Sequence, residues 1–274
     1  MAHCGIDDAV RSIRRADGPP TDAIAAAASN DLLVLPRTYP TIILWRLAGR
    51  SCDQEDACMS TIQQRLLIPF ASLGIAGPII FVGDVLIAGA MRPGYSALDQ
   101  AISALGTGPD GWQEDIAAFI LGLCLLGFVI AFCWSLVGVI NRTTIAWSAI
   151  AFSIFSLVWI TVSLFTSAPP TRKVHTIASL VGEIAVVTGI AIVGFGLRKT
   201  ADWKAEGRIS LVVAALSLVV LVLTFATSQP KIANSVHLGG LFERVLVVVV
   251  LAWFAYISAR LIQRARNSFT ARPS

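Results

Sequence analysis

The sequence predicts an all-α fold, a polytopic membrane protein whose six transmembrane helices form a bundle. Hydrophobic residues make up 55% of the 274 residues and charged residues only 14%, whereas a soluble domain is typically about 25% charged. From Leu66 onward the hydrophobic residues form six runs, each near the roughly 20 residues with which a helix crosses a bilayer. Backbone groups in lipid must be hydrogen-bonded internally, so each run is predicted to be a helix.

The runs define one transmembrane domain, residues 59–265, followed by a basic cytoplasmic tail over residues 266–274. The predicted spans are about 66–91, 116–140, 145–166, 176–197, 208–227 and 241–262. Gly74, Gly77 and Pro78 lie inside the first span, where we expect a kink.

Residues 1–58 differ from this domain in composition. They mix charges, turn-forming residues and an alanine run, and their best apolar stretch, residues 32–49, is interrupted by Pro36 and Pro40. That stretch is too broken to span a membrane. Two interpretations stay open: a disordered tail, or an extension produced by assigning the start codon upstream of a true start at Met59.

The loop charges predict the orientation. Ten Lys and Arg residues fall on one side of the predicted spans and five on the other. Because cytoplasmic loops carry the excess of Lys and Arg, we expect a multi-pass protein of the cell (inner) membrane with both termini in the cytoplasm.

The longest loop, between the first two spans, would then face outward. Ser96 is placed to cap a short amphipathic helix that Gly106 would end. Leu98, Ile102 and Leu105 would share its apolar face. We expect this helix to lie flat on the membrane surface, with capping of the bundle as the alternative.

The most informative feature is a cluster of ionisable residues in the outer half of the spans. The cytoplasmic half is expected to hold nothing comparable. Ionisable groups inside a membrane are costly and mark functional sites by default. The candidate ligand-binding residues are Asp84, His175, Glu183, His237, Glu243 and Arg244.

Three interpretations of this cluster stay open. Arg244 could pair with Glu183, Asp84 or Glu243 and fix the helix packing, since buried charges persist only when partnered. Arg244 could instead bind a lipid headgroup or another anion in a pocket with Asp84 and Glu183. A third interpretation is membrane-embedded hydrolysis or group transfer, with His175 or His237 acting beside a carboxylate.

Other functional classes lack their sequence signals. Aromatic and basic residues do not alternate as they do in nucleic-acid-binding surfaces, so no nucleic acid is expected as a partner. No cofactor and no metal site is predicted, because the nucleotide-binding glycine motifs and a zinc-type cysteine spacing are missing. The expected partners are membrane lipids and a small ligand.

Several short motifs resemble one family of prokaryotic membrane proteins. They are GIAGPIIF at 74–81 followed by Asp84, RPGY at 92–95, AISALG at 101–106, GPDGW at 108–112, His175, GLFERV at 240–245, Trp253 and Arg260. Their order and spacing resemble the family catalogued as domain of unknown function 998, over about residues 62–262. The resemblance implies a six-helix integral membrane protein, supports Met59 as the start, and implies no catalytic residue.

Together these observations favour a non-enzymatic protein that binds a lipid or small ligand, or a structural membrane protein, with a polar pocket in the outer half. The alternatives are a membrane-embedded hydrolase or transferase and a small-solute or proton-coupled transporter. The transporter is less well supported, because no inverted repeat relates the two halves of the bundle.

Overall fold

The structure, a computed structural model, describes residues 61–108, 110–227 and 237–270. The predicted N-terminal extension, residues 1–58, lies outside these ranges. The described residues contain no strand, and six of their helices are long and apolar enough to cross a membrane. The predicted all-α, six-span bundle is therefore confirmed, and the protein is a multi-pass membrane protein.

The six helices follow one another with short connections. They are α1 (Thr61–Met91), α2 (Trp112–Leu136), α3 (Arg142–Leu164), α4 (Arg172–Leu197), α5 (Lys204–Thr227) and α6 (Gly239–Thr270). Helix α1 continues through Pro69 and Pro78. Helix α6 extends into the segment that the sequence predicts to be a tail.

Helix α2 occupies a different stretch from its predicted span, beginning and ending four residues earlier. Glu114 and Asp115 lie in its first turn, where carboxylates favour the positive end of the helix dipole. The helix ends because Gly138 adopts a φ of 78°, a left-handed conformation that suits glycine. The N–H groups of Val139 and Ile140 both donate to the carbonyl of Leu136 and close the turn.

The helices form a closed ring. Each helix packs against the next one in the chain, and α6 packs against both α5 and α1. The ring surrounds a core of aromatic side chains from α2, α3 and α6. These are Phe128, Phe132, Phe152, Phe155, Trp253 and Phe254, joined by ring contacts with centroid distances of 5.2–5.9 Å. Each such contact adds about 0.5–1.5 kcal/mol to the burial of the rings.

The outward faces of the helices are apolar. Large hydrophobic side chains such as Ile79, Leu86 and Val212 are about two-thirds exposed. A water-soluble protein rarely exposes so much contiguous apolar surface. In a membrane, such a surface contacts the lipid chains.

The predicted amphipathic helix over 96–105 is not formed. The segment contains turns and a short 3₁₀ helix, Ile102–Ala104, because its backbone groups bond to α6. Gly240 N and Leu241 N donate to the carbonyls of Asp99 and Leu98. Ile102 and Leu105 are buried, so this loop covers the end of the bundle and does not lie flat on the membrane surface.

The opposite end of the bundle holds a buried polar cluster that the sequence analysis did not expect. The Glu206 side chain is 2% exposed and its Oε1 accepts from Nε and Nη2 of Arg260, both at 2.7 Å. Arg264 Nη2 lies 3.5 Å from the same oxygen, and its guanidinium stacks 3.9 Å from the centroid of Trp203. The cluster joins α6 to the start of α5.

Candidate functional site

A cavity of about 80 Å³ lies beneath the loop that covers the bundle end, between α2, α3, α4 and α6. A single water needs ~10–15 Å³, so a cavity of this volume is large enough for a small polar group. Most of its wall is apolar. The polar side chains that line it are Ser103, Glu114, Trp159, His175, Ser179, Glu183 and Glu243, and no Lys or Arg lines it. We call it the carboxylate cavity.

Glu114 enters the cavity from the first turn of α2 and is 8% exposed. The carboxyl groups of Glu114 and of its neighbour Asp115 both lie against Gly106 of the covering loop. Of the two, Glu114 lines the cavity.

Glu243 enters from the second turn of α6, as the fifth residue of the helix. Its carboxylate accepts hydrogen bonds from the backbone N–H groups of Ile102, at 3.1 Å, and Ser103. These bonds tie the covering loop to α6. The structure thus assigns Glu243 a clear structural role, with the cavity on its other side.

Glu183 enters from the middle of α4 and has a different environment. Within the described part of the chain it makes no hydrogen bond and no ion pair. Trp159 also lines the cavity, and its Nε1 is fully buried and donates to no described group. A buried polar group without a partner costs roughly 1–3 kcal/mol, so the indole N–H and the unpaired carboxylate are both available to a ligand or to water in the cavity.

His175 lines the cavity at the start of α4. Its Nδ1 lies 2.9 Å from the carbonyl oxygen of Phe165, and because a carbonyl only accepts, Nδ1 carries the proton. Glu183 lies eight residues further along the helix, about 12 Å at 1.5 Å per residue. That separation leaves no hydrogen bond between the imidazole and the Glu183 carboxylate, so Glu183 does not orient His175 as a carboxylate orients the base of a catalytic triad. Nor are three or more His, Cys, Asp or Glu residues in the described ranges arranged to hold a metal ion.

The other predicted site residues lie outside the carboxylate cavity. Asp84, on α1, has a buried Oδ2 without a described partner and does not line the carboxylate cavity. His237 Nδ1 lies 3.4 Å from Asp99 Oδ1 in an exposed pair. The expected pairing of Arg244 with Glu183, Asp84 or Glu243 is not observed.

Arg244 lies on a different face of α6 from Glu243 and does not line the carboxylate cavity. Its Nη1 donates to the carbonyls of Gln100 and Gly240, both at 2.8 Å, and its Nη2 to the hydroxyl of Tyr95. Burial raises the pKa of Tyr95, although the nearby Arg244 acts in the other direction. The single pocket expected from Asp84, Glu183 and Arg244 is thus divided over separate surfaces.

Two residues of the cavity were missed by the sequence analysis. Glu114 was assigned to a loop because its span was taken to begin at residue 116. The signal was available: Glu114, Ala118, Leu121 and Leu125 recur at helical spacing and are all buried. Trp159 carried no signal, because a tryptophan in an apolar run is indistinguishable from a core residue until its indole N–H is located.

Comparison with known proteins places the chain in a family. The family model described as "Protein of unknown function (DUF998)" matches residues 75–260, which include parts of all six helices. A search of curated proteins and a search of solved structures found no match. Since the match covers well over half of the chain and confirms the resemblance seen in its motifs, the protein belongs to the DUF998 family.

Proposed function

We propose that the protein binds a small ligand through a positively charged group, such as a protonated amine, in the carboxylate cavity. The observation that carries this proposal is the unpartnered Glu183, which lines a cavity together with two further carboxylates and with no Lys or Arg. Carboxylates in one apolar enclosure repel each other and require an opposite charge or protons. An amine cation supplies both a charge and N–H donors.

The aromatic wall of the cavity supports the same chemistry. Trp159 and Phe155 line it and contact each other edge to face, with centroids 6.1 Å apart. Cations are attracted to the faces of aromatic rings, most strongly to tryptophan, and the attraction exceeds about 2 kcal/mol where water is excluded. A cavity lined by carboxylates and aromatic rings is suited to an ammonium group and unsuited to a phosphate or a carboxylate.

Binding of amines to the purified full-length protein in detergent tests the proposal. Small alkylammonium and arylalkylammonium ions would be compared with alcohols of the same shape by calorimetry. We expect binding of ammonium ions alone, weakened about tenfold or more by Glu183→Gln, because loss of a charge-assisted hydrogen bond costs about 1.5–3 kcal/mol.

Asp110→Asn is the matched control. It removes the same charge near the same end of the bundle from an exposed side chain that does not line the cavity. Its affinity for ammonium ions should equal that of the wild type. Equal binding of the neutral alcohols, or unchanged ammonium binding in Glu183→Gln, contradicts the proposal.

The same proposal includes an orientation, with the carboxylate cavity at the outer side of the cell membrane and both termini inside. The ten-to-five distribution of Lys and Arg supports it. Cysteines introduced at the exposed Ser96 and Thr143 lie at opposite ends of the bundle. With Cys4, Cys52 and Cys58 replaced by serine, an impermeant maleimide added to intact cells should label the first and spare the second. The reverse pattern contradicts the orientation.

A further inference from the structure

A second, larger cavity lies between α1 and α6, on the other side of the covering loop. It measures about 340 Å³ and is almost entirely apolar. Ile102 and Val247 line both this cavity and the carboxylate cavity and form the wall between them. Among the other residues that define this α1–α6 groove are Phe81, Val85, Leu86, Tyr95, Arg244 and Val248.

The groove opens onto the lipid-facing surface. Leu86 on α1 and Val248 on α6 lie at its edges and are 68% and 50% exposed. Along α1 the groove runs from Phe81 to Ala90, a rise of about 13–14 Å at 1.5 Å per residue. That length accommodates a substantial part of a lipid acyl chain, and its side opening allows a chain to enter directly from the bilayer.

Arg244 lies at the polar end of the groove and Arg92 lies beyond Tyr95, and neither forms an ion pair with a carboxylate in the described part of the chain. Arg244 bonds only to two carbonyls and to the Tyr95 hydroxyl. Arg92 Nη1 donates to the carbonyls of Ala104, at 2.5 Å, and Leu105, at 3.1 Å.

Carbonyl partners satisfy hydrogen bonds but do not neutralise charge. The guanidinium of Arg244 also lies 5.4 Å from the Tyr95 ring centroid, another neutral partner. Glu243, the residue before Arg244, acts on it electrostatically, but neither Arg92 nor Arg244 forms a close ion pair with a carboxylate of the described residues.

A third depression of about 500 Å³ continues from the groove beyond Tyr95, which lines both. Its wall includes Arg92, Gln100 and Thr107. The two arginines thus lie on either side of Tyr95, at the point where the apolar groove meets a polar surface depression.

We propose that the α1–α6 groove binds a phospholipid, with one acyl chain between α1 and α6 and the phosphate between Arg92 and Arg244. An anionic phosphate compensates the two charges and accepts from guanidinium N–H groups. The Nε–H group of each arginine makes no hydrogen bond within the described ranges, so each retains a donor for the phosphate. The site is independent of the amine cavity, because the wall of Ile102 and Val247 separates them.

Native mass spectrometry of the full-length protein tests the proposal. The protein would be released from micelles containing equal amounts of phosphatidylglycerol and of diacylglycerol with the same acyl chains. We expect one phosphatidylglycerol to remain bound, favoured about tenfold or more over diacylglycerol because only the former offers a phosphate.

Val248→Trp fills the groove and leaves every arginine contact in place. It should reduce the bound phosphatidylglycerol about tenfold. Val245→Trp is the matched control, since Val245 is also exposed on α6, at 36%, but does not line the groove. It should retain the lipid. Arg92→Gln combined with Arg244→Gln should abolish the preference for phosphatidylglycerol over diacylglycerol.

Three results would overturn the proposal. Equal lipid retention by the two tryptophan variants would exclude the groove as the chain site. Retention of diacylglycerol by the wild type to the same extent as phosphatidylglycerol would exclude recognition of the phosphate. Displacement of the bound lipid by millimolar inorganic phosphate would show a site for the free anion and not for a phospholipid.

Discussion

Replacement of Glu206 by glutamine should destabilise the bundle more than any other single acid-to-amide change at that end. The carboxylate is 2% exposed and accepts two bonds from Arg260, with Arg264 close by. Removing one partner of a buried ion pair typically costs about 3–5 kcal/mol, because the other charge is left uncompensated. Arg260 and Arg264 are about one-third exposed, and water screens them in part.

The cost of the uncompensated charge, reduced by the screening of the two arginines by water, gives an expected loss of about 2 kcal/mol in the free energy of unfolding. For a domain of about 200 residues this lowers the midpoint of thermal unfolding by roughly 4–8 °C. The assay is thermal unfolding of the purified protein in one detergent, followed by circular dichroism and by tryptophan fluorescence. Trp203 stacks on Arg264, so its emission should also change.

The control is Asp202→Asn. Asp202 lies four residues from Glu206, but its side chain is exposed and only its backbone carbonyl accepts from Arg264. Its midpoint should stay within about 1–2 °C of the wild type, as is usual for surface substitutions.

The double variant with Arg260→Gln isolates the pair itself. Residues in direct contact show coupling energies of about 0.5–3 kcal/mol, so the double variant should lose less stability than the sum of its single changes. Two results would refute the reasoning: stability losses of the single variants that add up fully in the double variant, or a Glu206→Gln variant with the same unfolding midpoint as the wild type.

Two further predictions concern helix packing and the covering loop. Gly122→Ala should lower the unfolding midpoint by several degrees, because a Cβ there would lie 2.7 Å from the carbonyl oxygen of Ser156 on α3. Gly83→Ala, whose Cβ would meet nothing within 4 Å, should leave it unchanged or raise it; similar effects of the two would contradict the packing. Glu243→Gln should increase hydrogen exchange at the amides of Ile102 and Ser103 at least tenfold by weakening their acceptor, and unchanged exchange there would refute that loop attachment.

The helices could be predicted from the sequence because a span is a local property. Twenty apolar residues require a helix in lipid whatever surrounds them. The loop over 96–105 has no such requirement. Its apolar spacing favoured a helix, but hydrogen bonds to α6, about 140 residues away, hold the loop in another conformation. No periodicity within ten residues contains that information.

The candidate site could be predicted only in part, for the same reason. The sequence identified Glu183 as an unusual intramembrane charge, and it proved to be the cavity carboxylate without a partner. It could not separate Arg244 from Glu183, because the side on which a residue faces depends on which helices are neighbours. Glu206 was overlooked because its predicted span began two residues later, although Arg260 and Arg264 were visible as candidate partners one turn apart.

The arrangement of Glu243 and Arg244 connects the two proposed sites. Successive residues on a helix project about 100° apart, so these neighbours face different helices. Glu243 faces the carboxylate cavity and Arg244 faces the α1–α6 groove. Across the described ranges no ion pair joins the acids of the cavity to the arginines of the groove, whereas Glu206 at the other end holds two arginines.

Packing alone would favour pairing these charges, because separated charges in a membrane cost more than paired ones. The bundle instead keeps acids on one side of the Ile102 and Val247 wall and arginines on the other. Each side is then complementary to a ligand of opposite charge, an ammonium group in the cavity and a phosphate at the groove. A variant that brings an acid into the groove, Val248→Glu, should therefore pair with Arg244 and release bound phosphatidylglycerol while leaving ammonium binding intact. Loss of both ligands together would show that the two sites are one.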